Sequence, residues 1–230
     1  MKKHDELKAR FEKLEGTRIA PFGLKRFLWR IFGRLGNTFF KKYPPTAETT
    51  SGRVLLNLGA GGNLVPGFVN ADFYRLHKIF SMNRSDWMLD ITKPFKCKSK
   101  YWDGVFIEHT NEHISYSQNL VMLSEVFRTL KPGGTLRIVV PDLDKYLEWG
   151  LLRKSEVKMN RYASLPEAIS NLTQNHLHMS VWNFDLLREV LSSIGFVDIV
   201  KSQFGGSCIE EFTDRPNHKW QSLYLEAKRP

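Results

Sequence analysis

An α/β fold built on a mostly parallel sheet is the architecture this sequence predicts, and three observations predict it. From Arg53 onward, short apolar runs alternate with stretches of helical spacing, the pattern of strands joined by crossover helices. The first run ends in a glycine-rich turn, Gly59-Ala60-Gly61-Gly62, and the next two end in acids, Asp72 and Asp90. In open parallel sheets ligands lie outside the carboxyl ends of the strands, so all three endings fall on the edge where a site belongs.

The elements follow in order. RVLLNL (53–58) reads as a buried strand, GFVNAD (67–72) as a second, WMLDI (87–91) as a third and DGVFIEH (103–109) as a fourth. In residues 117–130, Leu120, Leu123, Val126, Phe127 and Leu130 share one helical face, and KPGG (131–134) ends that helix. TLRIVVP (135–141) is the fifth strand. Residues 142–182 read as irregular, aromatic and His-rich, a substrate lid carrying Tyr146, Trp149, Tyr162 and Trp182. Those aromatics would stack on a sugar or apolar acceptor, or pack a small core of their own. NFDLLREVLSSIG (183–195) is a helix with Asn183 as N-cap and Gly195 as C-cap. FVDIVKS (196–202) and SLYLEAK (222–228) close the chain as strands.

Composition sets bounds. A 42% hydrophobic and 25% charged chain of 230 residues suits one globular domain with an appendage. Two cysteines, Cys97 and Cys208, make neither a disulfide framework nor a four-cysteine zinc site. No 18-residue apolar run suggests a spanning helix, and the N-terminus lacks the apolar core of a signal peptide. A cytoplasmic protein is the expectation. The net charge of +10 is uneven, with twelve basic and four acidic residues in 1–44 and a net +2 in the remainder. Three parts are therefore expected: a basic extension (1–44), a Pro-Pro-led linker (45–52) and a catalytic-sized domain (53–230).

The glycine turn lets a ligand approach the backbone closely. It is not a nicotinamide fingerprint, because position 64 is Leu, and no Gly-Lys-Ser/Thr phosphate loop is present. Asp72 lies 15 residues beyond Asn57 at the end of the second strand, where a carboxylate can accept from both hydroxyls of a ribose. Asp90 at the third strand can accept from an adenine amino group while Ile91 packs on the ring.

Residues 54–141, through VLLNLGAGGN, GFVNAD, DITKPF, WDGVFIEHTNEHI and LSEVFRTLKPGGTLRIVVPDL, together with the late NFDLLREVLSSIGFVDI, resemble the class I, Rossmann-like, seven-strand S-adenosylmethionine-dependent methyltransferases. The Leu-Lys-Pro-Gly-Gly run and Glu112-His113 resemble the small-substrate branch. LNLGAGGN, PGFVNAD, RIVVPDL and SLYLEAKRP are similar to bacterial predicted methyltransferases linked with surface-polysaccharide gene sets. The match spans 53–229 and is weakest over 142–182. The resemblance implies S-adenosyl-L-methionine as cofactor. Asn57, Gly59, Ala60 and Gly61 match the motif around its methionine part, Asp72 the ribose acid, and Asp90-Ile91 the adenine pair. Glu108 and His109 match the position nearest the methyl donor. Asn57 stands where many relatives carry an acid.

Methyl transfer to a hydroxyl or a protonated amine needs a base, and His109, His113, Asp142, His176 and His178 are the candidates. Asp142, directly after the fifth strand, leads, with capping of the next turn as its rival reading. His113 reads as support for its loop, and His178, in Gln174-Asn175-His176-Leu177-His178, reads either as substrate contact or as surface decoration. Two histidines with no third clustered ligand predict no metal. The absence of an Asn/Asp-Pro-Pro-Tyr/Phe run at Glu108-His109-Thr110-Asn111 and of a Pro-Cys pair disfavours amino methylation of adenine and covalent cytosine chemistry.

From Arg18 to Lys42 seven basic residues and no acid interleave with Phe22, Phe27, Trp29 and Phe32. That pattern fits an interfacial helix on the anionic inner face of a membrane, bringing a lipid-linked acceptor to the domain, or a helix packed on the sheet. A nucleic-acid arm ranks third, because the body adds only +2. Two rival functions stand beside a small-acceptor methyltransferase: a weakly catalytic binding module at a membrane, and an RNA methyltransferase.

Overall fold

The computed structural model describes residues 3–9, 43–46, 49–73, 85–152, 162, 164–174, 177–215 and 219–230. The basic stretch 18–42 and His176 lie outside the described residues. Seven strands form one sheet in the order β3-β2-β1-β4-β5-β7-β6. They are β1 (Leu55–Leu58), β2 (Val69–Asp72), β3 (Trp87–Met88), β4 (Trp102–Glu108), β5 (Leu130–Pro141), β6 (Val197–Ser202) and β7 (Ser222–Lys228). β1 to β5 pair in parallel, while β7 runs antiparallel to both β5 and β6. The order reverses at β1, whose neighbours are β2 and β4. That reversal opens a crevice at the carboxyl ends of these strands.

Strand alternation sorts the core into two layers. Leu56, Leu58, Val105, Ile107, Ile138 and Val140 face the larger layer with α1 (Tyr116–Thr129) and α4 (Phe184–Ile194). Leu55, Phe106, Val139 and Tyr224 face a smaller layer closed by Ile209 and Phe212. Leu7, within helical residues 3–9, is buried in the larger layer, so the start of the chain packs on the body. α1 begins in a capping box in which the Ser115 side chain accepts from Gln118 N–H and the Gln118 side chain accepts from Ser115 N–H. α4 has Asn183 as N-cap and ends at Gly195, whose φ of 117° is left-handed.

Two expectations need correction. The described part of 142–182 is not irregular: it holds α2 (Leu143–Leu152) and α3 (Leu165–Gln174). Their aromatics build a local core, with Tyr146, Ala168 and Leu172 buried and Trp149 and Tyr162 packed against them. The third strand is also short, because Asp90 takes over the backbone at its end. Its Oδ1 accepts from both Thr92 N–H and Thr92 Oγ1–H, a local turn that competes with the ladder.

Candidate functional site

The glycine turn after β1 is folded against its two neighbours. Gly59 and Ala60 donate their N–H groups to Ala71 O of β2. Gly59 has a φ of +78°, and a Cβ there would lie 2.2 Å from Thr110 Oγ1. Thr110 therefore fixes how closely the turn lies on the β4 loop, and only glycine fits. Gly61 is left-handed too, with a φ of +58°. The result is a tight, part-buried cradle of backbone at the carboxyl end of β1, against the β4 loop.

Asn57 braces that cradle from within. It is buried, and its amide donates to Asn63 O and to Asn70 Oδ1, both at 2.9 Å. Asn70 in turn donates to Asp86 Oδ2 at 2.9 Å, so β1, β2 and the approach to β3 share one polar knot. Asn57 thus spends its amide N–H groups on the loop and on β2. Asp72 closes β2, with Oδ1 accepting from Phe73 N–H, and Asp90 follows β3 in the turn already described. The three strand endings that the sequence singled out stand side by side, since β3, β2 and β1 are consecutive in the sheet.

Glu108 and His109 both have protein partners far along the chain. Glu108 is buried and held by Arg215, whose backbone N–H donates to Oε1 at 2.8 Å and whose Nε donates to Oε2. His109 has a φ of +50°. Its Nδ1 lies 2.9 Å from Glu112 Oε1, and its Nε2 lies 3.1 Å from Ser222 Oγ. Both ring nitrogens meet protein partners, so the His109 ring links the β4 loop to β7.

Asp142 lies at the carboxyl end of β5, 4% exposed, bridged to Trp182. Its Oδ1 accepts from Asp144 N–H at 3.2 Å, so the capping reading is met. Burial pushes its carboxyl above the ordinary range; Lys145 pulls it down and Asp144 pushes it further up. A desolvated carboxylate with a raised pKa is a better proton acceptor near neutrality. Lys145, whose ammonium is lowered by burial, donates to Ser222 O.

Glu112, overlooked by sequence reasoning, is the buried member of its pair, whereas His113 is exposed. Burial raises the Glu112 carboxyl, but the His109 hydrogen bond and the His109 and His113 charges bring it below the usual range. Its backbone oxygen accepts from Met179 N–H at 2.7 Å and Ser180 N–H at 3.2 Å. That pins the end of the insert onto the β4 loop and places His178 beside His113, ring centroids 5.0 Å apart. Trp182 is core, its Nε1–H donating to Ser180 Oγ. The signal for this junction was present in Glu112-His113 and His178, but 66 residues separate the partners.

No protein-family model and no curated protein matches the chain. Solved structures do. A SAM-dependent methyltransferase from Archaeoglobus fulgidus superposes with a TM-score of 0.51 at 18% identity, covering 88% of this chain and 94% of the other. A SAM-dependent methyltransferase from Thermotoga maritima gives a TM-score of 0.51 at 15% identity, covering 89% and 90%. The chain has the Rossmann-like fold of these proteins, with the seven-strand mixed sheet described above.

Proposed function

We propose that the protein is an S-adenosylmethionine-dependent methyltransferase acting on a small or lipid-linked acceptor, with a surface-polysaccharide sugar as the acceptor that the sequence resemblance favours. The observation that carries the reading is the cradle at Gly59 and Gly61 with Asp72 and Asp90 at the adjoining strand ends, at the point where the strand order reverses. The residues fit the cofactor. The cradle offers close backbone approach for its amino-acid part, Asp72 a carboxylate for ribose hydroxyls, and Asp90 with Ile91 a polar and apolar pair for adenine. Bound there, the cofactor supplies a methyl already activated on a sulfonium, so transfer depends on in-line alignment. Asp142 is the residue of this chain suited to receive the acceptor's proton, being buried, at the ligand edge and raised in pKa.

Lipid-linked acceptors would be brought to the domain by residues 18–42 at an anionic membrane face, from a cytoplasmic location. No helix among the described residues is long and apolar enough to cross a membrane.

Calorimetry with S-adenosylhomocysteine tests the reading. The wild-type chain binds at one site, and Asp72→Ala weakens binding at least tenfold, the loss of about 1.4 kcal/mol of hydrogen bonding to a charged group. Absence of binding, or an unchanged Asp72→Ala variant, refutes it.

A further inference from the structure

Outside the cofactor cradle, the junction between the β4 loop and the end of the insert gathers groups that the proposed cofactor chemistry does not use. Glu112, His113 and His178 each bring one donor atom to within 4.8 Å of the other two. We propose that these three residues bind a divalent cation of the zinc class, leaving coordination positions open toward the carboxyl edge of the sheet.

Four observations support the site. The donor set is two imidazoles and one carboxylate, which suits zinc and its first-row neighbours and leaves positions for exogenous oxygen ligands. Glu112 Oε2 is buried and has no hydrogen-bond partner among the described residues. An unpartnered buried carboxylate oxygen is costly, and a cation removes that cost. Glu112 Oε1 is meanwhile engaged with His109 Nδ1, whose ring is held by Ser222. His178 Nδ1 lies 2.6 Å from Leu172 O. A carbonyl only accepts, so Nδ1 carries the proton and ligation by His178 would go through Nε2. A backbone carbonyl behind one ligating histidine and a hydrogen bond behind a ligating carboxylate are the outer contacts that orient metal ligands.

The scaffold is rigid where it must be. Met179 and Ser180 donate to Glu112 O, and Ser180 Oγ donates to Asn111 O at 3.0 Å and to Ile114 O at 2.9 Å. His178 is thereby tied to the turn that carries Glu112. Tetrahedral ligands at about 2.1 Å from a metal sit about 3.4 Å apart, so the donors close by a small movement, which the exposed His113 side chain can make. Where the methyltransferase reading holds, on which this role rests, the open positions would take an acceptor hydroxyl and acidify it. The acceptor class is then an oxygen nucleophile.

The test is cobalt(II) titration of the metal-stripped full chain, read by visible absorption, with zinc as competitor. The expected result is one equivalent bound with the intense bands of four- or five-coordinate cobalt, displaced by zinc. His113→Ala, which removes an exposed side chain and leaves the core intact, and His178→Ala each weaken binding at least tenfold. No stoichiometric binding, or wild-type binding by either variant, overturns the proposal. S-adenosylhomocysteine binding is measured on the same samples. Retained nucleoside binding without cobalt binding removes the metal site alone, and the converse strikes only the methyltransferase reading.

Discussion

Gly59 shows how one residue sets the site. Its left-handed φ costs any L side chain about 1–2 kcal/mol, and a Cβ would also overlap Thr110. Gly59→Ala is therefore expected to destabilise the protein by about 2–4 kcal/mol in urea unfolding and to weaken nucleoside binding. Gly62→Ala, where a Cβ meets nothing within 4 Å, is expected to change stability by less than about 1 kcal/mol. Asp142 gives the opposite balance. Its folded-state pKa is raised by burial, so at pH values above that pKa the folded chain carries a carboxylate less comfortably than the unfolded chain does. Asp142→Asn is expected to raise the melting temperature at neutral and alkaline pH, and the gain should vanish as pH falls through the carboxylate range. The same variant should lower the methyl-transfer rate by about 10²–10⁴-fold. A variant that transfers methyl at the wild-type rate and is no more stable would mark Asp142 as a cap alone. At this scale the placement of Asp72 at the end of β2 and of Asp90 two residues past β3 was legible, because apolar runs mark where strands stop. Glu108 and His109 were not, because their partners Arg215 and Ser222 lie 107 and 113 residues away.

Elements were legible where their own residues close them. Ser115 and Gln118 start α1, and Asn183 and Gly195 bracket α4, all by contacts within a few residues. The insert was misread although Leu165, Ala168, Ile169 and Leu172 have helical spacing, because Gly150, Pro166 and the polar run between them break the pattern into short pieces. The smaller layer was illegible for another reason: it depends on segment 203–215, which has little regular structure and is held by charge. Arg137 on β5 is fully buried, donating to Asp214 from Nε at 2.8 Å and Nη2 at 2.5 Å, and to Glu226 of β7 at 3.1 Å. Ser202, Gln203 and Gly206 accept its remaining bonds. Asp214→Ala leaves that guanidinium half-paired in the interior and is expected to cost about 3–5 kcal/mol. Because Arg215 is adjacent, hydrogen exchange at Glu108 and along 203–215 should accelerate together in this variant. Local exchange confined to residue 214 would show that the segment is not a unit.

At the scale of the molecule the charge belongs to one end. Residues 1–44 hold a net +8 and the rest +2, so a basic extension precedes a body that carries its own site chemistry. The extension is also attached, since Leu7 is 3% exposed within the larger core layer. Deleting residues 1–44 would therefore disturb packing as well as charge, and a clean test changes charge alone. In the sequence Arg26, Arg30 and Arg34 recur at four-residue spacing, one face of a helix. Each basic residue near an anionic bilayer contributes about 1 kcal/mol, so replacing all three by Gln removes about 3 kcal/mol, roughly a hundredfold in partition coefficient. Co-sedimentation with phosphatidylserine-rich vesicles at low salt should show that loss. Wild-type binding should itself weaken as salt shortens the reach of surface charge. Nucleoside binding by the triple variant should equal that of the wild type, because the cradle at Gly59 and Asp72 lies in the near-neutral body. Equal vesicle binding by the two proteins would assign the basic face to solvent, and a paired loss of vesicle and nucleoside binding would place the basic segment against the body.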